Sequence, residues 1–95
     1  MTDFRDVPER RRFEQGFADA DGIMHRVWAD YAVQDDRRAI LHVEAANELR
    51  GSGAAGRGMA SLADHARAEG IKLIPRCSYA VAWFKRHPDQ GDVLA

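Results

Sequence analysis

Arg50-Gly51-Ser52-Gly53-Ala54-Ala55-Gly56 is the stretch from which the rest of the chain can be read. It follows a segment of strand character and precedes one of helical character. Upstream, Ala39 to Ala45 is the clearest strand in the sequence. Ala39, Leu41, Val43 and Ala45 are predicted to share one face, and Ile40, His42 and Glu44 the other. Downstream, Ala55, Met59, Leu62, Ala63 and Ala66 form an apolar stripe at helical spacing, predicting a helix from about Gly53 to Glu69. Gly70 is a natural stop just past its end. Ile71 to Pro75 is short, apolar and branched, so it reads as a buried strand. Strand, helix and strand make a βαβ unit, whose two strands should run parallel with a right-handed crossover.

The flanks complete the plan. Residues 1–11 read as irregular, Phe13 to Ala18 as a short strand, and Asp19-Ala20-Asp21-Gly22 as a turn. Ile23 to Val33 alternates Val27, Ala29, Tyr31 and Val33 with Trp28, Asp30 and Ala32, a strand of period two. Gln34 to Arg38 is a polar turn. After the βαβ unit, Ser78 is expected to cap a second helix running to His87, with Pro88 ending it. That helix is apolar on most sides through Tyr79, Val81, Trp83 and Phe84, so it should be packed. The expected fold is α+β (mixed α/β), one domain over residues 1–95: three antiparallel strands, a crossover helix, a strand and a C-terminal helix.

Bulk properties exclude several classes. With 95 residues, 45% hydrophobic and 31% charged, the composition is that of a small folded domain and not of a disordered chain. A formal net charge of −1 gives no general attraction to nucleic acid or an anionic membrane. The basic run Arg10-Arg11-Arg12 has Asp3, Asp6 and Glu9 just upstream and reads as solvated surface. No apolar run approaches a membrane span. The N-terminus does not resemble a signal peptide. The single cysteine, Cys77, can make no intrachain disulfide, and a reducing cytoplasm is the simplest address. His25, His65 and His87 show no metal-ligand spacing with one another or with Cys77, and His65 reads as an exposed helix residue.

A Gly-rich turn between a strand and a helix can bind an anion. The first turn of a helix leaves N–H groups without partners, and glycine lets the chain bend tightly and a ligand approach. Arg50 and Arg57 bracket the turn. It lacks the Lys-Ser/Thr of a P-loop and does not follow the dinucleotide G-x-G-x-x-G pattern. On glycine content alone, a flexible loop and an anion site are equally open readings.

Further residues carry a resemblance. Arg50-x-x-Gly53-x-Ala55 fits the Q/R-x-x-G-x-G/A signature of the GNAT acyltransferase superfamily. Arg12-Phe13-Glu14, His42-Val43-Glu44, Leu49-Arg50-Gly51-Ser52-Gly53, Ala66-Arg67-Ala68-Glu69-Gly70-Ile71-Lys72, Pro75-Arg76-Cys77-Ser78-Tyr79 and Lys85-Arg86-His87-Pro88 resemble, in order, segments of one compact branch, the mini-acetyltransferases. The resemblance implies an acetyltransferase that uses acetyl-CoA and an amine acceptor, a small amine or a protein lysine. It implies that the coenzyme A pyrophosphate rests on Arg50, Gly51, Ser52, Gly53, Ala54, Ala55 and Gly56, with the pantetheine arm between two splayed strands.

An amine must lose a proton before attacking a thioester. For a lysine of pKa about 10.4, holding the neutral form at pH 7 costs about 4.6 kcal/mol. Glu44, at the end of a strand just before the turn, is the leading general-base candidate, and His42 is second. The competing reading leaves both as exposed strand residues. The resemblance puts Cys77 near the thioester, where a thiolate can take the acetyl group by exchange and pass it on. Burial as a small apolar residue is the alternative. Many superfamily members use a tyrosine on the last helix as the acid for the leaving thiolate. Trp83 stands at the matching position, with Tyr79 one turn earlier. Trp83, and the missing N-terminal elements of larger relatives, keep a second function open: a coenzyme-A-binding module without turnover. The missing elements usually shape the acceptor pocket, so a protein partner or a second copy would complete it. A plain interaction domain is the third reading.

Overall fold

The computed structural model describes residues 3–95. Its elements are strand Arg5–Val7 (β1), a 3-10 turn Pro8–Arg10, strands Arg12–Ala18 (β2), Met24–Gln34 (β3) and Arg37–Ala45 (β4), a 3-10 turn Asn47–Leu49, helix Ala54–Glu69 (α1), strand Lys72–Pro75 (β5), helix Ser78–Arg86 (α2) and a 3-10 segment Pro88–Val93. The five strands form one sheet in chain order, antiparallel from β1 to β4 and parallel between β4 and β5. The expected α+β class and the parallel pair around a crossover helix are both present.

Alternation builds the sheet's inner face. Phe13, Ala29, Tyr31 and Ile40 are buried there against Met59, Leu62, Ala63 and Ala66 of α1 and Ala80, Trp83 and Phe84 of α2, while Val27 is buried in a second cluster with Leu49 and Ala54. Gly58 lets α1 lie close to β3, since a Cβ at that position would be 3.0 Å from a Val27 methyl. The β2–β3 turn closes on Asp19, whose carboxylate accepts the N–H groups of Asp21 (2.8 Å) and Ile23 (2.9 Å) and meets His25 Nε2 at 2.7 Å. The Ile23 N–H first, and His25 next, hold that carboxyl below the usual range. The other nitrogen of His25 lies 3.8 Å from Glu48, tying the hairpin to the turn before the Gly-rich loop.

Five expectations are corrected. Residues 1–11 are not all irregular: Met1 and Thr2 lie outside the described residues, but Arg5–Val7 pairs with β2. β1 is anchored by Asp6, which accepts a 2.6 Å bond from the Tyr31 hydroxyl. Burial and then this bond push the phenol up to about 12. Second, Ile40 does not share a face with His42 and Glu44. Asp30 pairs with His42 while the next residue, Tyr31, pairs with Ile40, so Leu41 is an extra residue in a bulge. Ile40 is buried in the core, whereas Leu41, His42 and Glu44 are exposed. Third, Cys77 and not Ser78 caps α2. Fourth, His65 is half-buried, its ring 5.0 Å from that of Phe4 and 5.5 Å from that of Phe13. Arg12 is also more than solvated surface. It donates to Asp30 at 2.9 Å and lies 5.2 Å over the Trp28 ring.

Candidate functional site

The loop from Arg50 to Gly56 is shaped by two glycines with positive φ, Gly51 at 78° and Gly53 at 80°. Nothing lies within 4 Å of a Cβ built on Gly51, so glycine is there for its backbone and not for space. Ser52 fastens the loop from inside. Its hydroxyl donates to the Leu49 carbonyl at 2.6 Å and accepts the Ala54 N–H at 3.2 Å. Arg57 braces it from outside by donating to the Ser52 carbonyl at 2.9 Å. Gly53 caps α1 without a side chain. The N–H groups of Gly51, Gly53, Ala55 and Gly56 consequently have no acceptor among the described residues. These are the donors an anion at a helix start would meet.

Next to this loop the sheet splits. β4 and β5 pair only from Arg37–Lys72 to Ile40–Pro75. There the chain turns away, and the N–H groups of Arg76 and Cys77 both donate to the Ile40 carbonyl, at 2.9 and 3.2 Å. β4 runs on to Ala45 with no strand beside residues 41–45 on that side. A Gly-rich helix start beside two parting parallel strands is the arrangement the sequence resemblance anticipates.

Comparison with known proteins agrees. The family model for GCN5-related N-acetyltransferases matches residues 15–93. The chain belongs to the GCN5-related N-acetyltransferase family. Among solved structures, a GCN5-like protein from Staphylococcus aureus, determined by NMR in solution, superposes with a TM-score of 0.68 at 21% identity. The alignment covers 98% of this chain and 87% of that one, a likeness of fold. No curated protein matches the chain.

Against the fold of a GCN5-related N-acetyltransferase, the catalytic candidates fall into two groups. His42 and Glu44 are together: their side chains meet at 2.7 Å on the outer face of β4, each more than half exposed. Across β3 they oppose Asp30 and Trp28. That face carries no helix, and the Arg12–Asp30 pair lies on it. Cys77 stands apart, half-buried at the start of α2, with its sulfur accepting the Ala80 N–H at 3.3 Å. It makes no hydrogen bond to His42 or Glu44. The strand split lies beside Cys77, because its own N–H is held by Ile40.

The structure adds a feature that the sequence reading did not single out. Between α1 and α2 runs an open groove of about 430 Å³, starting at Gly53 and Gly56 and lined by Arg57, Tyr79, Trp83, Arg86 and His87. A Cβ on Gly56 would sit 3.7 Å from both the Tyr79 hydroxyl and the Trp83 indole nitrogen. Both groups therefore lie by the Gly-rich loop. The one-turn spacing of Tyr79 and Trp83 carried this signal, since it puts both on the same side of α2. Among the described residues, no cluster of three or more His, Cys, Asp or Glu side chains suits a metal ion.

Proposed function

We propose that this protein is an N-acetyltransferase of the mini-acetyltransferase branch, moving an acetyl group from acetyl-CoA to an amine, either a small amine or a protein lysine. The observation that carries this reading is the set of free N–H groups at Gly51, Gly53, Ala55 and Gly56, beside the split between β4 and β5. Each N–H bond to a charged oxygen is worth about 1.5–3 kcal/mol, against roughly 0.3–1 kcal/mol for the helix dipole at an exposed site. Several aimed N–H groups thus dominate the binding of a pyrophosphate. The exposed guanidinium groups of Arg50 and Arg57 add positive charge around it. The thioester arm then lies in the split between residues 41–45 and the start of α2. The free thiol of Cys77 fits work in a reducing cytoplasm.

In the direct route the amine nitrogen attacks the thioester carbonyl carbon. The C–S bond breaks as the tetrahedral adduct collapses, and the coenzyme leaves as thiolate. The amine proton passes to the hydrogen-bonded pair of Glu44 and His42, with Glu44 as base. In the covalent route the Cys77 sulfur bonds to the thioester carbonyl carbon, the C–S bond to the coenzyme breaks, and the proton of the Cys77 thiol ends on the departing coenzyme sulfur. The amine then takes the acetyl group from Cys77. The bare outer face around His42 and Glu44 receives the acceptor, alone or with a wall supplied by a partner or a second copy.

The exposure of His42 and Glu44 favours a second reading, a coenzyme-A-binding regulatory module without turnover. Thiol release from acetyl-CoA across a panel of amines separates the two. For the enzyme, Glu44→Gln lowers the rate about a hundredfold or more, and Cys77→Ala does the same if the covalent route operates. Full rate in both variants would show that the catalytic assignment is wrong. Coenzyme binding with no release for any amine supports the regulatory module.

A further inference from the structure

Glu14 is only 4% exposed, although it lies on the sheet face that carries no helix. A carboxylate that deep needs cationic partners, and two guanidinium groups supply them. Arg5 and Arg26 both reach its Oε1 atom at 3.4 Å, while their own side chains stay 60% and 56% exposed. Neither arginine makes another ion pair or side-chain hydrogen bond among the described residues. Two guanidinium forks that share one oxygen keep most of their donors, and such forks suit a second carboxylate. The groove they border, of about 300 Å³, runs over Gly16 to Asp3. Gly16 interrupts the side chains of β2 where Asp3 lies on the strand. Its N–H donates to Asp3 Oδ1 at 2.9 Å, and a Cβ there would be 2.7 Å from Oδ2. Free guanidinium donors and a carboxylate in one groove match the α-carboxylate and α-ammonium of an amino acid.

The strand register ties this groove to the catalytic pair. Arg5 pairs with Glu14, Glu14 with Trp28, and Trp28 with Glu44, so the four stand in one row across the outer face. With strands about 4.8 Å apart, Glu14 stands about 9.6 Å from Glu44 and Arg5 about 14 Å from it. An extended lysine spans roughly 7.5 Å from carboxyl carbon to ε-nitrogen, and a contact of about 2.8 Å at each end brings the reach to about 13 Å. That reach falls between the two arginine-bearing positions. An α-amine, one carbon from its carboxylate, falls far short. Half-buried Trp28 stands mid-row and offers ring surface to the methylene chain. Arg12 does not compete for the carboxylate, since its guanidinium is spent on Asp30 and the Trp28 ring.

Resting on the acetyltransferase reading and on Glu44 as base, we propose that the acceptor is a free basic amino acid of lysine length. Arg5 and Arg26 hold its α-carboxylate, and Asp3 receives its α-ammonium. Its ε-nitrogen bonds to the thioester carbonyl carbon as the C–S bond breaks, and the amine proton passes to the Glu44–His42 pair.

Thiol release from acetyl-CoA by the full chain tests this with three amines. They are L-lysine, cadaverine, which lacks the carboxylate, and Nα-acetyl-lysine, which lacks the α-ammonium. The kcat/KM for lysine should exceed that for each of the others about tenfold or more, as for one charge-assisted contact. In Arg26→Gln, which leaves Arg5 to pair with Glu14, the preference for lysine over cadaverine should fall to within about twofold, chiefly through KM. An arginine that only supports the fold would slow both amines alike and keep their ratio. Equal wild-type kcat/KM for lysine and either comparator, or a full preference in Arg26→Gln, would overturn the assignment and leave the acetyltransferase reading standing. So would release with other amines but none with lysine. If no amine at all releases thiol, the acetyltransferase reading itself falls, and the amino acid site with it.

Discussion

At the start of α1 the capping position is Gly53, left-handed and without a side chain. At the start of α2 it is Cys77, extended, with a sulfur that accepts the Ala80 N–H. The chain around α2 closes further, because the Arg76 and Cys77 N–H groups are both bound by Ile40. Around α1 only the Ala54 N–H finds a side-chain partner, Ser52, and four other N–H groups stay open. A side-chain cap is worth about 1 kcal/mol to a helix. α1 forgoes that stabilisation where its glycines hold the backbone in shape. The contrast separates a helix start that serves the fold from one that is built to receive an anion.

The largest expected effect comes from altering the open start. Gly53→Val puts a β-branched residue at a φ of 80°, a strain of roughly 1–2 kcal/mol. It also brings a side chain in beside the Arg57 guanidinium, 3.4 Å from the Cβ position. Coenzyme A affinity should fall about a hundredfold or more while the circular dichroism spectrum stays native. Melting should drop by about 4–16 °C, as that strain implies for a domain of this size. A folded variant with wild-type affinity would show that α1 is merely uncapped.

Much of this contrast was legible in the sequence, and the missing parts have physical causes. The βαβ unit could be read because strand 39–45, the stripe from Met59 to Ala66 and Gly70 each carry a strong local signal. The N-terminal strand could not, since three residues in a charged setting have no period, and pairing with β2 decides them. The bulge at Leu41 leaves no mark in the alternation of β4. It is set by register against β3, and it separates Ile40 from His42 and Glu44. Ser78 outranks cysteine as a cap by propensity, but the tether from Ile40 to Cys77 fixes where α2 begins. The Gly-rich loop was visible as a possible anion site from its glycines and neighbours. The groove beside it was not, because it needs Gly56 and Trp83, far apart in the chain, to meet. Gly58 likewise reads as a weak helix residue until Val27 is seen against it.

The smaller effect concerns the closed start, and it separates the two readings of Cys77. Cys77→Ala removes the acceptor for Ala80, a residue with no exposed surface, and should cost about 1 kcal/mol in chemical denaturation. Cys77→Ser restores an acceptor at the same place, and hydroxyls are good caps, so stability should return to within about 0.5 kcal/mol of wild type. The hydroxyl does not restore the thiol. If the sulfur carries the acetyl group, the serine variant is stable yet as slow as the alanine variant in thiol release, and acetylated Cys77 is visible by intact mass in the wild type. If the sulfur only caps α2, serine recovers rate and stability together, and the two helix starts then divide cleanly, one for the ligand and one for the fold.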